Sequence, residues 1–491
     1  MWQDALRVAK EYLPHLLPAT QEEYDEQQLK SGAKGAASYV AQAKDWEAQG
    51  EYERAIDCYL KAGELASKFL AEQQAVEIIR RAATALLNIN RNPQAAELYL
   101  SVGLAKEAAD AFMEVADFAK AKKVAVEMDA ELAEYVDGRY KEHLKNHGNI
   151  EQLADVDIVS GIQLYIEKGQ WDKALETAKA QDNPSLMDKY TALYAGEMIN
   201  QGDFDAAIQA FAKYGTPANR QNFNMYKRLV DEMLGRRGTH LPDCYKKWAT
   251  LRDMLLHLKK SLGETAGLDP RYKEVFERFL QIAHYSAARA AYSESGDGEL
   301  RLMGTKTSVA LLRYTDVESY PVDKAFYEAG LACREQGGEY EKMGFTFLNH
   351  YLDLAEAIED QSPEAVDYST FEDSDIPTEV HLPDALHLAQ AEHEEVKEYV
   401  LALSVDQNMR RELCQDRRGV YEAMLGEAKP CILTGYPVLG ESKQFGTSGV
   451  VANKEDWNRI LLTTKTGHKG NLEDVLGYIS AYTGANISMA L

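Results

Sequence analysis

Cysteine is scarce and scattered in this chain. The thiols of Cys58, Cys244, Cys333, Cys414 and Cys431 are far apart and odd in number. That excludes a disulfide framework and leaves no paired zinc-ligand spacing. Buried structural thiols in a reducing compartment are expected instead. Long apolar runs are missing, so no segment is predicted to cross a bilayer as a helix. Positive charge is in short supply: 54 Lys and Arg face 79 Asp and Glu, a formal charge of −25. Such a chain is a poor partner for nucleic acid, whose backbone is itself anionic. Arg236 and Arg237, a basic pair in a loop opened by Gly235, read as solvated.

Enzyme signatures are lacking as well. Gly304-Thr305-Lys306-Thr307-Ser308 has its upstream glycine misplaced for a phosphate-binding loop, and no His-Glu-x-x-His pair occurs. His387 and His393 do not share one helical face well; with His381 they read as solvent-facing. No nucleophile is matched with a base. No catalytic residue, cofactor or metal ligand is therefore nominated. Asp4, Arg7 and Lys10 place charge where a signal peptide needs an apolar core.

What the chain does contain is a repeated phrase. A Gly or small residue is followed two positions later by an aromatic or small residue, five positions later by Ala, and nine later by a large, aromatic or small one. Gly50–Tyr52–Ala55–Tyr59, Gly103–Ala105–Ala108–Phe112, Ala116–Phe118–Ala121–Ala125, Gly169–Trp171–Ala174–Ala178 and Gly202–Phe204–Ala207–Phe211 are copies. Gly338–Tyr340–Met343–Phe347 is a late copy with Met in place of Ala. The phrase describes a tight turn and then a helix whose Ala admits a close neighbour. It is the grammar of a tetratricopeptide-like helical hairpin, a unit that stacks into a solenoid for holding other proteins. The step from Gly169 to Gly202 is near the usual period. The step from Gly103 to Ala116 is too short for a helical pair, so short Ala-rich helices are predicted at Gln94–Ser101, Ala105–Val115 and Phe118–Glu127. Trp2, Ala5 and Ala9 fit the later positions of a copy whose opening residue would precede Met1. The spacing thus predicts a truncated first repeat, belonging to the C-terminal piece of a longer protein.

Residues 1–360 are accordingly expected to form an elongated right-handed solenoid without β-sheet. Helical stripes are clear at Cys244–Leu262 and Arg271–Ser293. Residues 361–383 carry Glu and Asp but no Lys or Arg, and Pro363, Pro377 and Pro383 break any helix. This acidic strap has apolar members, Tyr368, Phe371, Ile376 and Val380, expected to dock on the chain's own surface. Residues 384–427 read as a helical pair, Asp384–Leu403 and Asp406–Leu425. From residue 428 the pattern changes to a compact turn, short extended pieces around Gly449–Ala452, a helix capped by Asn453, a loop, and a last helix capped by Asn471. Residues 428–491 are thus a small α+β unit.

Cys431-x-x-Thr434-Gly435-Tyr436-Pro437 resembles the opening loop of U-box domains, RING-like folds in which hydrogen bonds and packing replace zinc. Two positions depart from that family: Ile432 stands where it has Pro, and Gly470 where a Pro usually precedes Asn471. The resemblance implies a module that folds without zinc. Cys431, Thr434, Gly435 and Asn471 would be structural, and Ile432, Leu433 and Pro437 would form a docking face for a ubiquitin-conjugating enzyme. A U-box-type ligase needs no nucleophile of its own, because it works by positioning; its docking Leu433 has to be partly exposed. Taken whole, the chain is similar to the C-terminal part of the intraflagellar transport protein 172 family, through Cys431–Pro437, Asn453-Lys454-Glu455-Asp456-Trp457-Asn458 and Asn471-Leu472-Glu473-Asp474-Val475-Leu476-Gly477. That resemblance implies two N-terminal β-propellers ahead of the solenoid. It also implies a scaffold role in the ciliary transport train, with complex B and complex A subunits as partners. The place of action would be the cilium or flagellum and the basal body, on the cytoplasmic side. Ubiquitin and a conjugating enzyme are the alternative partners.

Overall fold

The computed structural model describes residues 7–9, 12, 16–128, 130–147, 149–235, 244–265, 270–372, 374–405, 411, 413, 428–465 and 470–486. Trp2, Ala5, Arg236, Arg237, Cys414 and nearly all of the expected helix Asp406–Leu425 lie outside them.

The described chain is mainly α-helical and divides into two compact units, Met1–Thr177 and Ala178–Leu491. In the first, the helices are α1 (Leu17–Ala48), α2 (Tyr52–Phe69), α3 (Glu72–Asn88), α4 (Asn92–Leu100), α5 (Ala105–Glu114), α6 (Phe118–Met128), α7 (Ala130–His147), α8 (Ile150–Val156) and α9 (Ile158–Glu167). Helix α10 (Trp171–Ala180) runs across the division. From α1 to α9 each helix packs on the next in sequence. The three short helices expected between residues 94 and 127 are α4, α5 and α6.

The repeated phrase has a single structural meaning. Its opening residues Gly50, Gly103, Ala116, Gly169, Gly202 and Gly338 all have positive φ. At the first five, the N–H of the following residue reaches back to the carbonyl five positions earlier: Glu51 to Trp46, Leu104 to Tyr99, Asp117 to Phe112, Gln170 to Tyr165 and Asp203 to Met198, at 2.8–3.0 Å. This is the left-handed helix stop, which satisfies carbonyls that the helix end would otherwise orphan. The Ala five positions on is then fully buried at Ala55, Ala108, Ala121, Ala174 and Ala207, because a methyl group lets the neighbouring backbone come close. A further copy escaped the sequence pattern. Asn90 has positive φ, the N–H of Arg91 returns to Leu86, and Ala95 and Tyr99 are buried. Its opener is Asn, which like Asp enters this conformation more readily than other non-Gly residues.

Gly202 isolates the backbone term, since a Cβ added there would meet nothing within 4 Å and its φ is +82°. Gly202→Ala is expected to cost about 1–2 kcal/mol through conformation alone, and Gly202→Asn less. Urea unfolding of the three proteins checks this order.

The second unit continues with α11 (Pro184–Gln201), α12 (Phe204–Tyr214), α13 (Arg220–Leu234), α14 (Tyr245–Glu264), α15 (Pro270–Glu294), α16 (Gly298–Ala310), α17 (Val322–Gln336), α18 (Glu341–Glu359) and α19 (Gln390–Ser404). No strand occurs among the described residues up to 360. The Gly304–Ser308 fragment lies inside α16, so it forms no phosphate-binding loop.

The acidic strap lies on α17 and α18. Phe371 is buried against Phe326, Phe347 and His350, with ring centroids 5.4, 6.3 and 4.8 Å away. Ile376 is buried too. Residues 384–389, expected as helix, are irregular. There the buried carboxylate of Asp323 takes both the His387 N–H at 2.8 Å and its ring Nδ1–H at 3.0 Å. His387 is therefore not solvent-facing, nor is His393, whose Nδ1 lies 3.0 Å from the Tyr351 hydroxyl. His381 alone of the three is exposed.

The C-terminal module has the expected order of elements: an opening loop, the antiparallel pair β1 (Ser442–Gln444) and β2 (Val451–Asn453), α20 (Lys454–Lys465) and α21 (Asn471–Thr483). Asn453 caps α20, its Oδ1 accepting from the N–H of Glu455 at 2.9 Å. Asn471 does not cap α21. That place falls to Gly470, at φ +103°. The module is no separate appendage, for its apolar residues belong to one continuous core with α11–α19.

Candidate functional site: the seat of the C-terminal loop

The opening loop closes on itself by short-range bonds. The N–H of Cys431 donates to Tyr436 O at 2.7 Å, and that of Gly435 to Cys431 O at 2.7 Å. The N–H of Ile432 donates to Val451 O at 2.9 Å, tying the loop to β2. Cys431 is fully buried and its sulfur accepts from the Asn453 N–H at 3.2 Å. Burial pushes this thiol up, against the opposing pull of Asn453 and Thr434; such a thiol is inert.

These bonds leave the loop carbonyls pointing outward, and helix α15 meets them with a row of donors. His284 Nε2–H donates to Ile432 O at 2.7 Å. Tyr285 O–H donates to Cys431 O at 3.3 Å, and Tyr292 O–H to Leu433 O at 2.9 Å. From the 3-10 turn Leu311–Tyr314, Arg313 reaches Gly435 O at 3.0 Å. The other edge of Arg313 holds Asp375 of the strap, with Nη2 2.7 Å from Oδ2. The strap thus orients the guanidinium that fixes the loop. Gly435 is required twice over: its φ is +71°, and a Cβ would lie 2.6 Å from that of Ala310.

Burial decides the electrostatics. His284 is buried and stacks on Tyr478 at 4.4 Å. Burial lowers its pKa to about 3, with the Ile432 carbonyl opposing and Arg252 adding to the shift. The ring is therefore neutral. Because Nε2 carries the proton, Nδ1 is a bare acceptor, and it has no hydrogen-bond partner among the described residues. Arg252 is 1% exposed and bonds Asp474 of α21 at 2.9 Å and Asp253 at 3.0 Å. Burial works against its charge, but the Asp253 and Asp474 carboxylates outweigh it and hold the pKa above the ordinary value. Tyr245 O–H also donates to Asp474. Asn471 turns its amide to Glu294 at 2.6 Å, and Tyr482 O–H bonds Glu277 at 2.7 Å.

The structure thus places Cys431, Ile432, Leu433, Thr434 and Gly435 together in one buried seat, with Asn471 on its rim and Pro437 half-buried. The exposed docking face expected at Ile432, Leu433 and Pro437 is not found. Leu433 is 0% exposed, since the loop carbonyls are drawn onto α15 and carry the side chain inward. Sequence reasoning missed His284, Tyr285, Tyr292 and Arg313, which are the residues that hold the loop. Their partners lie far along the chain; His284, Tyr285 and Tyr292 passed for part of an apolar stripe on α15, and Arg313 lies in the 3-10 turn beyond it. The one local signal was a His amid an apolar helix face. Among the described residues no group of His, Cys, Asp and Glu is placed to hold a metal ion, and no helix is long and apolar enough to cross a membrane.

No protein-family profile matches the chain. The Mus musculus intraflagellar transport protein 172 homolog is 44% identical over 506 residues, covering 99% of this chain and 28% of its own length. The Homo sapiens homolog is 43% identical with the same coverage. The Caenorhabditis elegans intraflagellar transport protein osm-1 is 41% identical over 515 residues, 100% of this chain and 29% of its own. A solved circular tandem repeat protein aligns over 82% of the chain at 15% identity, but its TM-score of 0.15 lends it no weight. The chain spans less than a third of the relatives' length. Across that span the identity runs from end to end, and the chain belongs to the intraflagellar transport protein 172 family, as the counterpart of one part of its members.

Proposed function

We propose that this chain is the part of an intraflagellar transport subunit that holds other subunits of the transport train. The carrying observation is the 44% identity over 99% of the chain to a protein named for that process. The repeated left-handed stops support it, since hairpins stacked through such turns expose long faces suited to binding other proteins. On this reading the chain acts in the cilium or flagellum and at the basal body, on the cytoplasmic side, and joins complex B neighbours to complex A. Its acidity favours basic partner segments. The intact chain, immobilised and exposed to ciliary extract, is expected to retain complex B and complex A subunits and to lose them as salt rises. Recovery of no transport subunit, or retention indifferent to salt, would count against it.

The second reading is a U-box-type docking module at residues 428–491. The order of loop, short strands, helix and helix favours it. A conjugating enzyme could reach Leu433 only if the loop left its seat on α15. Incubation of the intact chain with ubiquitin-charged conjugating enzyme is expected to give no discharge; efficient discharge would revive an exposed face.

A further inference from the structure

The acidic strap is held to the helices beneath it by side chains, not by its backbone. Phe371 and Ile376 are buried, and Asp375 holds Arg313. From Asp367 to Ile376 the backbone bonds only within the strap among the described residues. The Phe371 N–H donates to Tyr368 O at 2.8 Å and the Ser374 N–H to Phe371 O at 3.0 Å. A stretch with no ladder of bonds to its neighbours can open locally while the rest stays folded.

Ser369 begins the single 3-10 turn Ser369–Phe371 and is exposed. Its N–H donates to the Asp367 carboxylate at 2.9 Å. That N–H, and the Ser369 hydroxyl after it, hold the exposed Asp367 carboxyl below its ordinary range. Glu372 and Asp373 stand three and four positions after Ser369, and residues 361–383 contain no Lys or Arg. The neighbouring hydroxyls are less available. Thr370 is half-buried. Ser374 is half-buried too; its hydroxyl donates to Phe371 O at 2.8 Å and accepts the Ile376 N–H at 3.2 Å. An exposed serine followed by carboxylates suits an enzyme with a basic cleft, since kinases select substrates by charge pattern.

We propose that Ser369 is the phosphate acceptor for an acidophilic serine/threonine kinase, and that its modification loosens the strap. The Ser369 oxygen bonds to the γ-phosphorus of ATP and the bond from that phosphorus to the β–γ bridging oxygen breaks. ADP leaves, and the hydroxyl proton passes to the kinase. The phosphate carries a charge of about −2. It puts a like charge where a donor stood beside Asp367, so the turn that presents Phe371 loses its lock. Arg411, the cation that acts on Asp367, is already committed to Asn349 and Asp353 of α18 and does not rescue it. The pocket formed by Phe326, Phe347 and His350 is then uncovered more often.

Incubation of the intact chain with a purified acidophilic kinase of the casein-kinase type and ATP tests the site, with a basophilic kinase as the comparison arm and mass spectrometry as the readout. Phosphate on Ser369 is expected. Ser369→Ala abolishes it, and Glu372→Gln slows it about tenfold. Glu364→Gln, on the same strap but upstream, changes the rate little. All three positions are exposed, so folding is not at stake. No incorporation, phosphate on Thr370 or Ser374 in place of Ser369, or equal modification by the basophilic kinase overturns the site. Equal slowing by Glu364→Gln and Glu372→Gln removes the downstream carboxylate as its determinant. In the modified chain the Phe371 and Ser374 amides are expected to exchange hydrogen about tenfold faster or more, with α15 unaltered. Exchange that is unchanged or slower refutes the loosening. None of these outcomes depends on the transport role, which the extract experiment tests separately.

Discussion

Leu433→Ala lowers the stability of the second unit by about 2–5 kcal/mol, the usual range for a leucine truncated in a packed interior. Leu433 is fully buried, and its own carbonyl is held by Tyr292. The backbone therefore cannot drift inward to refill the space. That loss is a large share of the stability of an ordinary domain, so the thermal midpoint falls by several degrees. The same variant discriminates between roles. An exposed docking leucine, when truncated, abolishes ubiquitin transfer and leaves the midpoint nearly unchanged. A seated one shows unfolding first. An unchanged midpoint would contradict the seat.

Mild acid is the second strong perturbation. His284 and His350 are both buried, and burial lowers each pKa to about 3. Phe326 and Phe371 crowd His350 at 4.5 and 4.8 Å. Arg411 adds to its shift and Asp367 opposes it. Once unfolded, each ring binds a proton below about pH 6.5. Between that value and about 3 the unfolded state therefore holds more protons than the native one, and stability falls as the pH falls. Each ring contributes about 1.4 kcal/mol per pH unit within that window. The pair amounts to roughly 4 kcal/mol between pH 7.5 and 5. Replacing both by Phe should flatten the pH dependence of the urea unfolding free energy in that range, whatever it does to the value at pH 7.5. A slope unaltered by the double substitution would show that other groups set it.

Legibility from sequence followed locality. The turns were readable because a left-handed residue, a small Ala and a large anchor lie within ten positions of one another. Asn90 was overlooked because neither it nor Asn92, two positions on, fits the phrase. The strap's apolar residues were also legible, since Phe371 and Ile376 stand out in an acidic stretch without helix. The seat of the module was not. His284, Tyr285 and Tyr292 act through hydroxyl and imidazole tips on carbonyls more than a hundred residues away, and no spacing rule announces such a partner. Asn471 shows the same limit. At the head of a helix it read as a cap, but its amide serves Glu294. The resemblance to U-box loops named the loop residues and said nothing of which surface would cover them.

Seated on α15 through three side-chain hydrogen bonds and a shared core, the C-terminal loop is expected to open only together with that helix. Amide hydrogen exchange on the intact chain tests it most directly, because amides that open together share one protection free energy. The N–H groups of Cys431, Ile432 and Gly435 are expected to exchange as slowly as those in the middle of α15 and to be released together in denaturant. Loop amides that exchange orders of magnitude faster than α15, while α15 stays protected, would contradict it.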